Sequence, residues 1–348
     1  MAAPLPEELV SMRGAGFHNL NSQWQYRAVK ECFKLLPVAV SQTDPDITIV
    51  DYGSSEGHNA TIFLRALLQY MPAVSKATII FNDTPANDYG SLISTFYASP
   101  LVASEPGSPR VLPLLAPRNY YDQVLPDALA DIGVCLTSLH WVRCMQPIRE
   151  TPLERSHVAA SAKEDLTCFL SMRHREIRRE GILIVCFPID AQLTLDPVIQ
   201  ILKEAISCVA GPKAGSAYQF PVYFRPKKEV HEVLDQLNDK WEVIQEFSTP
   251  NEHPASSLFR LGDKKNAAAL ESCAKAICDF LIAVLGHSIV KTIQAFGKKM
   301  ENDLGEPDEE SFQRILDEVS MAYRRLLLDF DWNTPIGTDF IYLKLRRI

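Results

Sequence analysis

Asp51, Gly53, Gly57 and Asn59 lie together in the stretch VDYGSSEGHNATIF (50–63), after one apolar run and at the start of another. Glycine lets a backbone approach a ligand closely, and a strand feeding into a helix points free N–H groups at whatever sits there. The candidates are a phosphate, a dinucleotide or a nucleoside cofactor, and spacing separates them. A phosphate-cradling loop needs Lys followed by Ser or Thr after its last glycine, and Gly57 is followed by His58 and Asn59. A dinucleotide fingerprint wants GxGxxG with an acid about 20 residues on. Here the acid closing the next apolar run is Asp83, 83 − 51 = 32 positions after Asp51. An amino-acid nucleoside fits better: the glycines let the backbone pass its amino-acid part, and the two oxygens of Asp83 can grip both ribose hydroxyls. That arrangement is expected of an S-adenosylmethionine site. The plainer alternative is a tight strand-to-helix turn, with Asn59 near the helix start and Asp83 as a strand-end turn residue.

Other chemistries lack their residues. The eight histidines form no HExxH, no Cys/His cluster has zinc spacing, and no GxSxG elbow occurs, so no metal is expected and a serine hydrolase is disfavoured.

The elements that must carry the loop are legible as apolar runs. ITIVDY (47–52), ATIIFND (77–83), RVLPLL (110–115), IGVCLTSL (132–139) and GILIVCF (181–187) alternate with helical patterns such as NATIFLRALLQYM and NDYGSLISTFYA. Uninterrupted runs read as parallel strands covered on both faces, and strand alternating with helix reads as a doubly wound sheet. The pattern changes after Pro188: helical pieces interrupted by AYQFPVYFRP (217–226) suggest an insertion roofing the sheet. KWEVIQEFS (240–248) and DFIYLKLRR (339–347) have strand character, and 266–328 is a long helical stretch. The division expected is an α/β domain from 1–190, 240–265 and 329–348, with a helical cap from 191–239 and 266–328. The acidic run ENDLGEPDEE (301–310) reads as a solvated turn.

Composition limits the partners. The 348 residues are 47% hydrophobic and 22% charged, as in ordinary globular proteins. A formal net charge of −8 offers no basic field for nucleic acid. No secretory signal is visible and no apolar run approaches the roughly 20 residues of a membrane span, so a cytoplasmic protein is expected, its eight scattered cysteines reduced and mostly buried.

Five blocks occur in order: LNSQWQ (20–25), DYGSSEGHN (51–59), FNDTPANDY (81–89), TSLHWV (137–142) and REGILIVCF (179–187). Together they resemble the SABATH family of small-molecule methyltransferases, known from salicylate, jasmonate and benzoate carboxyl methyltransferases and caffeine-pathway N-methyltransferases. The resemblance implies a seven-stranded methyltransferase (Rossmann-like) sheet with a helical cap, S-adenosylmethionine as cofactor, a small carboxylic acid as substrate and a homodimer. By matching position it implies that Ser22, Asp51 and Asn59 surround the methionyl group, with Asp83 on the ribose, Thr84 beside the adenine, and Asn119 and Tyr120 flanking it, Tyr121 following. Gln25 and Trp141 match the residues that hold the substrate carboxylate. The family's opening Gly-Gly and Ser-Tyr are replaced in MRGAGFHNLNS, with His18 and Asn19 where Ser-Tyr would fall.

The residues agree with carboxyl chemistry. A carboxylate only accepts hydrogen bonds, while the Gln25 amide and Trp141 indole are neutral donors, so they orient an anion without quenching it. With an unperturbed pKa near 4 it is already ionised at pH 7 and needs no general base. His140 is either a packed wall residue or the base for a phenol or ring nitrogen. Tyr223, Phe224 and Arg225 either pack a loop or form a substrate roof, and Arg225 at the far end of the pocket would suit a second carboxylate. A catalytically silent, cofactor-binding or interaction protein is the reading from another class.

Overall fold

The computed structural model describes residues 12–38, 45–102, 108–143, 152–262, 266–296 and 309–348. Cys144 and most of the acidic run, 301–308, fall outside the described residues.

Eight strands form one sheet: β1 (Asp46–Tyr52), β2 (Lys76–Asp83), β3 (Arg110–Pro117), β4 (Ala130–Leu136), β5 (Ile177–Asp190), β6 (Arg225–Pro226), β7 (Trp241–Glu252) and β8 (Gly337–Arg347). Their order is β3-β2-β1-β4-β5-β8-β7, with the two-residue β6 paired to the end of β5. β1 to β5 are parallel, and β8 runs antiparallel between β5 and β7. β2 leaves β1 on one side and β4 joins it on the other, so the direction of winding reverses between β1 and β4. In such sheets ligands bind outside the carboxyl ends of the strands at this reversal.

The apolar runs are unbroken because both faces are covered. Ile49, Ile79, Ile184 and Tyr342 enter one core, while their neighbours Val50, Ile80, Val185 and Leu343 enter another on the opposite face. Helices α2 (Gln23–Glu31), α3 (His58–Gln69) and α4 (Tyr89–Ala98) cover the first face, with the short α1 (Phe17–Asn21) ahead of them. α3 does so with Ala60, Phe63, Leu64, Leu67 and Leu68, a helical stripe. The opposite face is covered by α5 (Pro152–Glu176) and, beyond the next two helices, α8 (Lys227–Gln236).

A third core belongs to helices above the sheet: α6 (Asp196–Ala210), α7 (Pro212–Ala217), α9 (Pro254–Leu261), α10 (Ala267–Phe296) and α11 (Glu309–Leu328). α6 presents Val198, Ile199, Leu202, Ala205 and Ile206, and α11 presents Ile315, Leu316, Val319, Tyr323 and Leu327. α10 is apolar on nearly every side because it runs through the middle of this layer. It is long and apolar enough to cross a membrane by composition, but 78% of its most apolar window is buried inside the protein. α8 differs from the other pieces after Pro188. Its Val230, Val233 and Leu234 pack with Trp241 and α5 against the sheet, so 227–236 lies on the sheet layer, where the sequence reading had grouped it with the cap.

A fully buried ion pair ties two loops at the reversal point. Arg173 Nη2 and Glu176 Oε1 lie 2.7 Å apart with both side chains inaccessible. Glu176 accepts from Tyr52 OH at 2.7 Å and from the Val124 N–H at 2.5 Å, and Arg173 donates to the carbonyls of Tyr120 and Asp122. Arg173→Met would strand the Glu176 carboxylate in the interior, and urea unfolding is expected to show a loss of about 3–5 kcal/mol. A loss below about 1 kcal/mol would mean that Glu176 needs no cation there.

Candidate active site

The loop after β1 turns three times through left-handed backbone, at Gly53 (φ 84°), Ser55 (φ 47°) and Gly57 (φ 81°), before α3 begins at His58. At Gly53 close approach adds to conformation: a Cβ there would lie 2.7 Å from the Ser138 Cβ. The loop is latched to β2, since the N–H groups of Gly53 and Ser54 both donate to the Asn82 carbonyl. The Asn82 amide reaches on to the carbonyls of Ala116 and Arg118, fixing the start of the loop that carries Asn119. Asp83 accepts from the Ser55 and Thr84 N–H groups, both at 2.7 Å, one on each oxygen. These bonds aim the carboxylate while leaving lone pairs for a ligand.

Above this edge lies a cavity of about 1300 Å³, its open mouth included. One end is polar, walled by Asp83, Thr84, Asn87 and Asn119 with His18 and Ser55. The other is apolar, walled by Phe220, Phe224 and the α10 side chains Phe280, Leu281, Val284 and Leu285. Gln25, His140 and Trp141 line the same cavity, the His140 ring lying 5.1 Å from that of Trp141 and 6.3 Å from that of Phe224. Gln25 is placed by its neighbour Trp24, whose indole donates to the Asn251 carbonyl at 2.9 Å, while the Asn251 amide donates back to Trp24 O at 3.4 Å.

A family model described as SAM dependent carboxyl methyltransferase matches residues 9–320. The chain belongs to this family. Methyltransferase FUS9 of Gibberella fujikuroi is 26% identical to it, over 97% of this chain and 98% of its own. O-methyltransferase acrG of Aspergillus aculeatus is also 26% identical, over 97% of each. A loganic acid methyltransferase solved with SAH has the same fold, with a TM-score of 0.69 at 17% identity over 97% of this chain and 98% of its own. The protein is thus an S-adenosylmethionine-dependent carboxyl methyltransferase, built on the α/β sheet that the sequence resemblance implies.

The polar atoms at this edge fit that cofactor. Several buried polar atoms at this edge have no hydrogen-bond partner: Asp51 Oδ2, Asn59 Oδ1, Thr84 Oγ1, Gln25 Oε1 and His140 Nδ1. Unpaired buried polar atoms are rare and costly, and three of these, on Thr84, Gln25 and His140, belong to residues on the cavity wall beside the Asp83 carboxylate.

Nine of the residues expected from sequence share the cavity wall: Gln25, Gly53, Asp83, Thr84, Asn119, Tyr120, His140, Trp141 and Phe224. Ser22, Asp51, Gly57 and Asn59 stand off that wall, although Asp51 and Asn59 keep an oxygen unpaired nearby. The Ser22 hydroxyl donates to the Asn19 carbonyl, and its own carbonyl accepts from Asn59. Two expectations are corrected. Tyr223 turns its hydroxyl to Glu229 at 3.0 Å. Arg225, expected to meet a second carboxylate, points away from the cavity and donates to the carbonyls of Leu139 and Ala162, because its place in β6 aims it between α5 and the loop after β4. His18, Ser55, Asn87 and Ser138 join the wall beyond the sequence assignment. His18 had a signal, being a departure from the family's opening motif, whereas the α10 residues had none beyond their apolar spacing.

Burial governs the site's titration. It lowers His140 to about 3, with the charge of Arg225 adding to the effect, and it lowers His18 to about 4. It pushes the Asp51 carboxyl up to about 7, with the charge of Asp83 adding. A raised carboxyl stabilises the folded state at low pH, and that contribution disappears as pH rises through the folded value. For the ligand-free protein, stability from Asp51 is therefore expected to fall between about pH 4 and pH 7 by a few kcal/mol. Melting curves across that window should fall more steeply for the wild type than for Asp51→Asn. Parallel profiles would assign the fall to other groups.

Proposed function

We propose that the acid lies with its carboxylate at Gln25, His140 and Trp141 and its body against the apolar wall, and that the best substrates carry one carboxylate on an apolar frame. The observation carrying this reading is that three uncharged polar side chains share one cavity wall with the apolar Phe220, Phe224 and α10 side chains, Asp83 being the only charged side chain on the wall among the described residues. When bound, S-adenosylmethionine supplies an electrophilic methyl group. The Gln25 amide and Trp141 indole N–H hold one carboxylate oxygen, leaving the other its lone pairs. Around them, Phe220, Phe224 and the α10 face exclude water, so catalysis is mostly positioning. No side chain takes a proton, since the carboxylate arrives ionised. In the cofactor half, Asp83 serves the ribose, Thr84, Asn119 and Tyr120 the adenine, and Asp51, Asn59 and Ser22 the methionyl group, with the Gly53 and Gly57 turns admitting it.

The competing reading, transfer to a phenol or ring nitrogen with His140 as base, is poorly served by an imidazole lowered to about 3, since so weak a base draws little on a phenolic proton. Methyl-labelled S-adenosylmethionine offered with panels of acids, phenols and amines tests the two. Label released as methanol by mild alkali marks an ester, and alkali-stable label would overturn the carboxyl reading. The rate on the acid should be flat from about pH 6 to 8, where a histidine base gives a rise. Gln25→Leu and Trp141→Phe should each lower kcat/KM by about 10- to 100-fold, the worth of one hydrogen bond to a charged group. Cofactor binding without turnover on any acid would select the silent reading.

The same proposal extends to a homodimer working in the cytoplasm. The family resemblance supports the dimer, and the seven described cysteines, all free thiols, suit a reducing compartment. Light scattering should give twice 39.0 kDa, and a monomer mass at micromolar concentration would overturn the dimer.

A further inference from the structure

Arg225 is only 1% exposed and stands off the cavity wall. Its guanidinium, a permanent cation, donates to two backbone carbonyls and also bonds the Tyr121 side chain. Nε and Nη2 donate to Ala162 O at 3.1 and 2.9 Å, and Nη1 donates to Leu139 O. It makes no ion pair among the described residues, and Glu229, which feels its charge, is occupied by the Tyr223 hydroxyl. A buried cation without a paired carboxylate is costly to maintain, and the Glu229 charge reaches it without forming an ion pair.

The carbonyl it holds at Leu139 is the first of three in succession taken by outside donors. His140 O accepts from the Tyr223 N–H at 2.9 Å, and Trp141 O accepts from Tyr121 OH at 2.6 Å. With all three carbonyls drawn to other partners, the His140 and Trp141 side chains remain on the cavity wall. Two of the three donors come from the segment 223–225, which contains Phe224 and follows Phe220, so the roof and the carboxylate grip are set in register by the same bonds. The charge itself is felt at His140, Tyr120 and Tyr121. The cavity wall carries no Lys or Arg among the described residues.

We propose that Arg225 is the counter-charge of the substrate's carboxylate, acting through the Leu139–Trp141 segment without touching the acid. The proposal rests on the carboxylate reading above. Distance is the point of the arrangement. A guanidinium in contact would engage both oxygens and withdraw electron density from the nucleophile. One residue layer back, the same charge favours the anion over its neutral analogues and leaves the lone pairs available. Arg225 is therefore a positioning residue with an electrostatic role.

The test compares an acid with its neutral isostere in protein saturated with S-adenosylhomocysteine, so that no turnover is needed. Octanoate and octanamide serve as the probe pair, with any acid methylated in the panel and its amide added, and tryptophan fluorescence reports binding. Arg225→Gln, which keeps carbonyl donors but removes the charge, should weaken acid binding about tenfold, as expected of one unit charge at an intermediate effective dielectric. It should leave the amide within about twofold of the wild type, and Arg225→Lys should restore most of the acid's affinity. Equal losses for acid and amide would reduce Arg225 to a scaffold and overturn the proposal, as would no loss for either. If Arg225→Gln does not fold, octanoate labelled with ¹³C at its carboxyl carbon decides in the wild type. The counter-charge keeps bound acid ionised below about pH 4, whereas burial alone raises its pKa, so a protonated resonance at pH 5 would overturn the proposal. Failure of the wild type to methylate any acid would instead sink the carboxylate reading itself.

Discussion

A sheet covered on both faces confines polar chemistry to its edges. β1, β2, β4 and β5 give alternate residues to two apolar cores, so a ligand can meet backbone N–H groups and carboxylates only where the strands end. The end chosen is the carboxyl edge at the reversal between β1 and β4, because there the two flanking connections diverge and leave a crevice. The latch of Gly53 and Ser54 on Asn82 and the amide bridge from Asn82 to the β3 loop convert this topological opening into a shaped site.

That site is incomplete as a hydrogen-bonded interior. Asp51, Asn59, Thr84, Gln25 and His140 each bury an atom without a partner, and a folded chain tolerates such groups only when another gain offsets them. These atoms are the hydrogen-bonding groups that the chain itself leaves available at the site. The buried Arg173–Glu176 pair supplies rigidity against this local deficit by joining Tyr52 to the Tyr120–Val124 loop.

How much of this was legible in the sequence follows from the range of the interactions involved. Strands were legible because two-sided burial writes itself as β-branched runs, and those runs overlap the observed strands with the ends off by a few residues, as at Ile177–Asp190 against 181–187 and Ala130–Leu136 against 132–139. The glycine loop was legible because positive φ and close approach at Gly53 restrict the residue allowed. The direction of Arg225 was not, since it is set by the pairing of β6 with Ile189 and Asp190 and by carbonyls 63 and 86 positions away in the chain. α8 misled for a related reason: its apolar stripe says that it packs, but not on which layer. The polar additions His18, Ser55 and Asn87 depend on α1 meeting the loops after β1 and β2, which no local pattern records.

α10 has two duties, as the spine of the cap core and as the apolar wall of the cavity. Leu281 and Leu285 belong to both surfaces. Any substitution there that reshapes the pocket also perturbs close-packed helices, where a change of one methylene is felt. The loop between α7 and β6 has more freedom, since Pro221 and Val222 touch the cavity without belonging to a core cluster. A change of cavity shape made in that loop therefore leaves the core clusters intact, whereas the same change made on the helix is also a change in its packing.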